Sequence, residues 1–506
     1  MEKIILDLLM VIGKLLNGIL VGRQSGDAIP CGPFSPKGFV QSITACFSCT
    51  KMKAFILKVF EVDSPEYSSN IEFCNQIKAQ LYKANPKLSC YFISFDHYWL
   101  SSMLIAANLT LEIDEFLLMA IVSTKTMDVF ELKFTDTGYL ITDKRMINID
   151  REGNHRNTIL GNCNPKKVII MNLSANNSTM TSLKNVLKSR KLISMERNRV
   201  ENDERFCQEI TNWILDKKQT KFYILPTCSR KYIITDKTDG TGTQLLAADN
   251  HESLPFLKSC IISRTTQHLS MSYIDVVTGK PKVIDLKKFG RKCHQYNITL
   301  NIKSKNAPVC QAEPIILPHI ESLPQGINPE LAKAKTPVIG FFDQSSVICL
   351  WNESKHIYEF LSSWNGKFGN DLFLNFEQEK PLFGQKAFEL FQTQPASAVY
   401  DLIKIMSMPP DNFKVNPDWS FEIIKDAEYP IVLDFVTHDG SRKVANPSFL
   451  MAVMLKEHVK AIKNEIGKKP ETLGFCLLNE FNKTEEENIK KQIQEACALL
   501  SIECLF

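Results

Sequence analysis

No uncharged apolar run in this chain of 506 residues reaches the length of a membrane span. There is no basic block either: lysine and arginine are mixed with aspartate and glutamate, and the net charge is +4. Nucleic acid therefore has no charged stripe to bind. The 15 cysteines are odd in number and scattered, which fits reduced thiols in the cytoplasm better than a disulfide framework. Cys46 and Cys49 make a single C-x-x-C, with no second C-x-x-C or H-x-H to complete a zinc site. The nine histidines show no metal spacing, and no metal residue is assigned. The loop "TDGTGTQ" (238–244) has no lysine after it, so it reads as a turn and not as a Walker loop.

The composition present is that of a protein with ordinary cores, 44% apolar and 23% charged. The length suits about three domains. At the start, Ile5, Leu8, Leu9, Ile12, Leu16 and Ile19 fall on one helical face, with Glu2, Lys3, Asp7 and Lys14 mostly off it. The stretch could pass for a signal peptide, but Asp7 and Lys14 interrupt the apolar run, so the reading preferred over residues 1–50 is an amphipathic core or interface helix followed by a Gly/Pro/Ser-rich loop. Residues 51–220 read as α/β, with 166–218 as strand, strand and helix, and residues 221–302 as mostly β. Residues 303–336 carry five prolines and no clear period, and read as a linker.

Residues 337–506 form a separate α/β unit. It opens with a meander of three strands, "PVIGFF", "SVICLW" and "HIYEFL". Asn446-Pro447 opens a helix that Gly467 closes, and "LGFCLL" is a buried strand. Thr484 and Glu487 have the spacing of a capping box for the last helix. The chain ends within an apolar strand, Ser501 to Phe506. Segments 71–113 and 454–505 share an order of helix, basic proline turn, strand, aromatic-polar turn and helix, which predicts an internal repeat.

The stretch "VIGFFDQSSVICLW" (338–351) places an acid and two hydroxyls at the tip of a strand–turn–strand, without a glycine. Together with "FGQKAFELFQTQP" (383–395) and "LLNEFN" (477–482), it resembles the 70-kDa heat-shock chaperones and their larger 110-kDa relatives. That family opens on a strand–G-I-D-L-G-T-T–strand phosphate loop, followed by a G-D-A-A-K block and a V-P-A-Y-F strand end. The likeness covers about the last third of the chain. A weaker one sets "KKVIIMNLSANNSTMTSL" (166–183) where the family's second phosphate loop, D-L-G-G-G-T-F-D, would lie. "SCIISRTTQHLSMSYIDVV" (259–277) resembles the first strands of its substrate-binding β-domain.

The resemblance implies an α/β fold with an actin-like (ribonuclease-H-like) ATPase-type half-domain at 337–506. A degraded second-lobe-like region and a β-rich region precede it. It also implies ATP and Mg2+ as cofactors, and here the residues depart from the family. The metal-site acid falls on Phe342, with Asp343 one place late. Along a strand, one place turns a side chain to the opposite face. The loop glycine falls on Gln344, the hydroxyls persist as Ser345 and Ser346, and the catalytic lysine falls on Phe388, with Lys386 two places early. In the second loop Asn172 replaces an acid, Ser174, Ala175 and Asn176 replace glycines, and Thr179 replaces the last acid. Glycine lets a phosphate loop adopt positive φ and lets the backbone approach the anion.

The expectation is a chaperone or co-chaperone without efficient ATPase activity, which binds unfolded client proteins or a true heat-shock chaperone. Two other readings stand beside it. One is an active ATPase using the displaced Asp343 and Lys386, with the region at 150–220 pairing with 337–506 as a permuted two-lobed clamp. The other is a fusion or truncation product of two family members.

Overall fold

The computed structural model describes residues 5–12, 15–22, 28–46, 52–60, 62, 64–149, 155–187, 191–238, 242–275, 278–391, 393–409, 413–417, 419–425 and 430–506. Among them the protein is mixed α/β, with fourteen α-helices and several sheets. No helix among the described residues is long and apolar enough to cross a membrane. Cys49 and part of the 238–244 loop lie outside the described residues.

Three sheets repeat one topology. In the first, β1 (Ile5–Ile12), β2 (Leu15–Gly22) and β3 (Ala28–Phe34) form an antiparallel meander. After α1 (Pro36–Cys46), β4 (Met52–Lys58) joins β1 in parallel. After α2 (Asn70–Ala84), β5 (Ser89–Phe92) joins β4, and α3 (Phe95–Ala107) follows. The order is β3-β2-β1-β4-β5.

The second sheet has β6 (Phe116–Val122), β7 (Thr126–Thr135), β8 (Gly138–Asn148), α4 (His155–Leu160), β9 (Lys167–Asn172), α5 (Asn177–Leu187) and β10 (Leu192–Glu196), in the order β8-β7-β6-β9-β10. Helices α6 (Arg197–Val200) and α7 (Asp203–Leu215) close it. The first two sheets share a core. Ala54 and Ile56 of β4 pack with Trp99 and Leu100 of α3, Met119 of β6 and Phe206 and Ile210 of α7. The opposite face of β4, with Phe55 and Leu57, packs on Phe39 of α1 and Phe73 and Ile77 of α2.

A β-sandwich follows. β11 (Tyr232–Asp236), β12 (Thr243–Ala248), β14 (His268–Ile274) and β15 (Pro281–Lys288) form one sheet; β13 (Phe256–Ser263), β16 (Gln295–Lys303) and β17 (Ala307–Ile315) form the other. Ile234, Leu269, Met271, Ile298, Leu300 and Ile302 fill the space between them. Three short helices come next: α8 (Pro318–Glu321), α9 (Leu323–Gly326) and α10 (Pro329–Ala334).

In the last sheet β18 (Val338–Phe342), β19 (Ser345–Asn352) and β20 (Ile357–Phe360) form the meander. An insertion then carries β21 (Asn370–Asp371), β22 (Leu374–Asn375), β23 (Leu382–Phe383), α11 (Gln385–Phe391), β24 (Ala398–Val399), α12 (Leu402–Ser407), β25 (Glu422–Ile424), β26 (Val432–Val436) and β27 (Arg442–Ala445). Helix α13 (Pro447–Ile466) leads to β28 (Thr472–Leu477), and α14 (Lys483–Leu499) to β29 (Glu503–Leu505). The order is again β20-β19-β18-β28-β29.

Five expectations are corrected. Residues 5–12 and 15–22 are paired antiparallel strands and not a helix: short apolar runs satisfy both periods, and β1 is paired on one side with β2 and on the other with the distant β4. Residues 303–336 are not a linker. Pro308 and Pro314 lie on β17, an edge strand that tolerates a missing N–H, and Pro318, Pro324 and Pro329 open α8, α9 and α10. Residues 166–218 run strand, helix, strand, helix. The repeat is threefold, and the segments aligned above are one strand out of step: β28 lies beside the central strand, as β4 does, whereas β5 lies at the edge. The capping box of α14 is Asn482 with Glu485, two places before the one expected.

Candidate functional site

The chain crosses from antiparallel to parallel pairing at β18, between β19 and β28. Crevices beyond the carboxyl ends of parallel strands at such a switch point are where α/β sheets bind ligands. At that place the Asp343-Gln344 turn and the end of β28 border a cavity of about 370 Å3. Asp401 and Lys404 line it from the C-terminal unit, and Ile262 and Gln295 line it from the sandwich.

Asp343 turns with φ +44°, in the left-handed region that aspartate tolerates better than most residues. Its N–H donates to Asn479 Oδ1 at 2.7 Å, and Asn479 Nδ2 donates back to Asp343 Oδ1 at 3.0 Å. Gln295 Nε2 donates to Asp343 Oδ2 at 2.9 Å. Neutral amides from β28's end and from the sandwich thus hold both carboxylate oxygens.

The flanking residues point into protein. Phe342 is buried, with Arg264 over its ring at 5.7 Å and His294 against its edge at 5.3 Å. Ser345 Oγ donates to Asp371 Oδ1 at 3.3 Å. One place along, Ser346 turns to the other face and meets His458 Nε2 at 2.8 Å. His458 Nδ1 lies 2.9 Å from the Met454 carbonyl, which assigns the proton to Nδ1 and leaves Nε2 to accept from the serine. Trp364 Nε1 also donates to Ser346 Oγ, at 3.2 Å. Burial pushes the His458 pKa down to about 4, so the imidazole is neutral. A hydroxyl hydrogen-bonded to an imidazole has the makings of a nucleophile and base. Both residues are at 0% exposure, however, and Trp364 covers the ring at 4.5 Å, so no substrate reaches them.

The sandwich is bolted over this edge of the sheet. Arg264 and Asp371 are each 2% exposed and pair at 2.9 Å. Arg264 also donates to the carbonyls of Gly369, at 3.0 Å, and Phe368. Arg291 takes the other Asp371 oxygen. His294 Nε2 donates to the Lys367 carbonyl at 2.8 Å, and its Nδ1 accepts from the Leu317 N–H at 2.8 Å. Gly369, at φ +66°, lets this strip lie flat: a Cβ there would sit 2.0 Å from the Ser346 carbonyl oxygen.

The other sequence-derived candidates do not join this site. Lys386 is exposed on α11 and does not line the cavity; Phe388 is core, edge-on to Phe373 at 5.0 Å. Asn172, Ser174, Asn176 and Thr179 cluster with one another in the second sheet's unit. Asn172 Oδ1 accepts from the Ala175 N–H at 2.9 Å, and its Nδ2 donates to Glu196 at 3.1 Å. Asn176 Oδ1 caps α5 by accepting from the Thr179 N–H at 2.7 Å. By strand order β9 is the counterpart of β28. The counterpart of the β18–β19 hairpin is β6–β7, whose tip, Ser123 to Lys125, has neither glycine nor acid.

Magnesium and nucleotide need a carboxylate turned to the metal's waters and N–H groups open to phosphate. In this hairpin the Asp343 N–H and both its oxygens are engaged, Phe342 is buried, and both hydroxyls face inward. The donor set does not fit the pair. Among the described residues no group of three His, Cys, Asp or Glu side chains could hold a metal.

Sequence reasoning missed Gln295, Arg264, Asp371 and His458. For His458 there was a signal: it lies four residues after Met454 and eight after Leu450, on the apolar face of α13. No protein-family model matches the chain, and no curated protein matches it.

Proposed function

We propose that the chain is a divergent heat-shock-70-like chaperone or co-chaperone that acts by binding proteins, without turning over ATP. The reading takes each of the three sheets that share this strand order as an actin-like (ribonuclease-H-like) lobe: one complete pair, a substrate-binding-like β-sandwich, and a further first lobe. What carries it is the hairpin tip, where Gln295 and Asn479 occupy the Asp343 carboxylate and Phe342 fills the metal-acid place. Exposed Val283 and Leu286 on β15 supply apolar surface that an unfolded client would cover. The displaced-residue ATPase has less behind it, since Lys386 and Asp343 do not share a cavity.

Calorimetry with millimolar Mg-ATP tests this. The expected result is no saturable heat. Saturable binding that is lost in Asp343→Ala would overturn the nucleotide-free reading. Suppression of client aggregation without ATP is the expected activity, and its absence would count against protein binding.

A further inference from the structure

Three titratable side chains meet where the sandwich joins the first two units. Asp96 stands on α3 of the first, Lys144 on β8 of the second, and His251 in the turn between β12 and β13 of the sandwich. Lys144 Nζ lies 2.8 Å from Asp96 Oδ2 and 3.0 Å from His251 Nε2. An ammonium group only donates, so His251 accepts at Nε2 and is neutral, with its proton on Nδ1. The contact lines a crevice of about 420 Å3, with Asp143 and Glu252 at its walls, through which solvent reaches it.

The turn is tied to the root of the sandwich. His251 N–H donates to the Cys228 carbonyl at 2.9 Å, Cys228 N–H to the Glu252 carbonyl at 2.7 Å, and Leu254 N–H to the Pro226 carbonyl at 2.9 Å. Thr227, on that root, places Oγ1 3.3 Å from Nε2 of the buried His97 of α3. Asp96 is the carboxylate nearest the His251 ring, 3.7 Å from Nε2, and the Phe130 ring of β7 stands edge-on to it at 6.5 Å. Asp128 of β7 also faces Lys144 and Asp96, with its carboxyl pushed up by burial. Within the turn, Asp249 pairs with Lys231 at 2.7 Å. Burial and the facing Lys144 push His251 down to about 4, and burial does the same to His97, which faces Lys144, His251 and Asp96.

We infer that Asp96, Lys144 and His251 form a proton-operated latch, which holds the root of the sandwich to the first two units in neutral solution and releases it on acidification. A second proton on His251 turns its acceptor into an N–H aimed at the Lys144 ammonium, and leaves two cations sharing one carboxylate. Above pH ~6.5 the imidazole is neutral whether held or released, and the latch is closed. From there down to about 4, only the released form takes up the proton, so the held form loses ground. For the His251 proton alone, the ratio of released to held rises about twentyfold between pH 7 and pH 5. Arg230, which donates to Asn70 Oδ1 at 2.9 Å, remains as a second tie to the first unit, so the release is local. The latch rests on these contacts and is independent of the chaperone reading.

The test is amide exchange of the full chain at pH 7 and pH 5, corrected for the intrinsic rates. The expected result is exchange about twentyfold faster at pH 5 in 226–228 and 249–254, with little change in β6. No rise in the two segments, or an equal rise in β6, overturns the latch. In His251→Asn, which keeps a residue that tolerates the φ of +71°, that factor should vanish; an undiminished rise also overturns it. Should that variant fail to fold, Lys144→Gln, which removes the facing cation and retains a donor, should show a smaller rise than the parent, and an equal or larger one refutes the role of Lys144.

Discussion

Removing the Asp371 carboxylate tests the physical account of how the sandwich and the C-terminal unit are joined. The Arg264 guanidinium is 2% exposed, so Asp371→Ala leaves it buried without its carboxylate, facing the Gly369 and Phe368 carbonyls and the Phe342 ring. Orphaning one partner of a buried pair costs about 3–5 kcal/mol. The two remaining carbonyls, and Arg291's partial access to solvent, place this case near the lower end, about 3 kcal/mol. Replacing both members by apolar residues of similar size, Arg264→Met with Asp371→Leu, removes the fully buried orphan and leaves only the partly exposed Arg291 without its carboxylate, so it should recover most of that loss, to within about 1 kcal/mol of the parent. A chain of several units need not unfold in one step. The assay is therefore urea-dependent amide exchange in 338–352, which reads this unit alone. A single-variant loss under about 1 kcal/mol, or a double variant worse than the single, would refute the reasoning.

Two further predictions concern the same unit. His458 titrates far below its unfolded value because it is buried, so above pH ~6.5 both states are neutral and stability is flat. As pH falls from there to about 4, the unfolded chain takes up a proton that the folded one refuses. This removes about 3 kcal/mol in all. Urea midpoints at pH 7 and 5 should differ, and His458→Gln should flatten the slope; an equal slope in the variant would refute the assignment. Gly369→Ala meets the Ser346 carbonyl and a positive φ together and should cost at least about 2 kcal/mol in the same exchange assay. A change within about 0.5 kcal/mol would show that the strip does not lie against β19 as described.

Local signals were readable. Asn446 accepts from the Phe449 N–H and Gly467 takes φ +79°, so α13 begins and ends where its cap residues stand. Failures came where distant pairing decides. The first hairpin reads as a helix until β4 is placed beside it. The prolines of 303–336 read as a linker until β16 is known to pair with β17 along its whole length. In the candidate site the hairpin was visible, and so were the acid and the two hydroxyls at its tip. What immobilises the tip was not: Gln295 is 48 residues from Asp343, and Arg264 is 107 from Asp371. No periodicity or motif links such pairs.

The three short helices α8, α9 and α10 also bear on synthesis. β18 is made long before its parallel neighbour: Asn479, at the end of β28, follows Asp343 by 136 residues. Through that interval an apolar strand, "VIGFF", has its antiparallel partner but lacks its parallel one, the circumstance in which nascent chains aggregate. Leu323 and its neighbours emerge from the ribosome just ahead of β18 and can shelter one side of it at once. The segment that holds the finished sheet is thus already present while the sheet is half built.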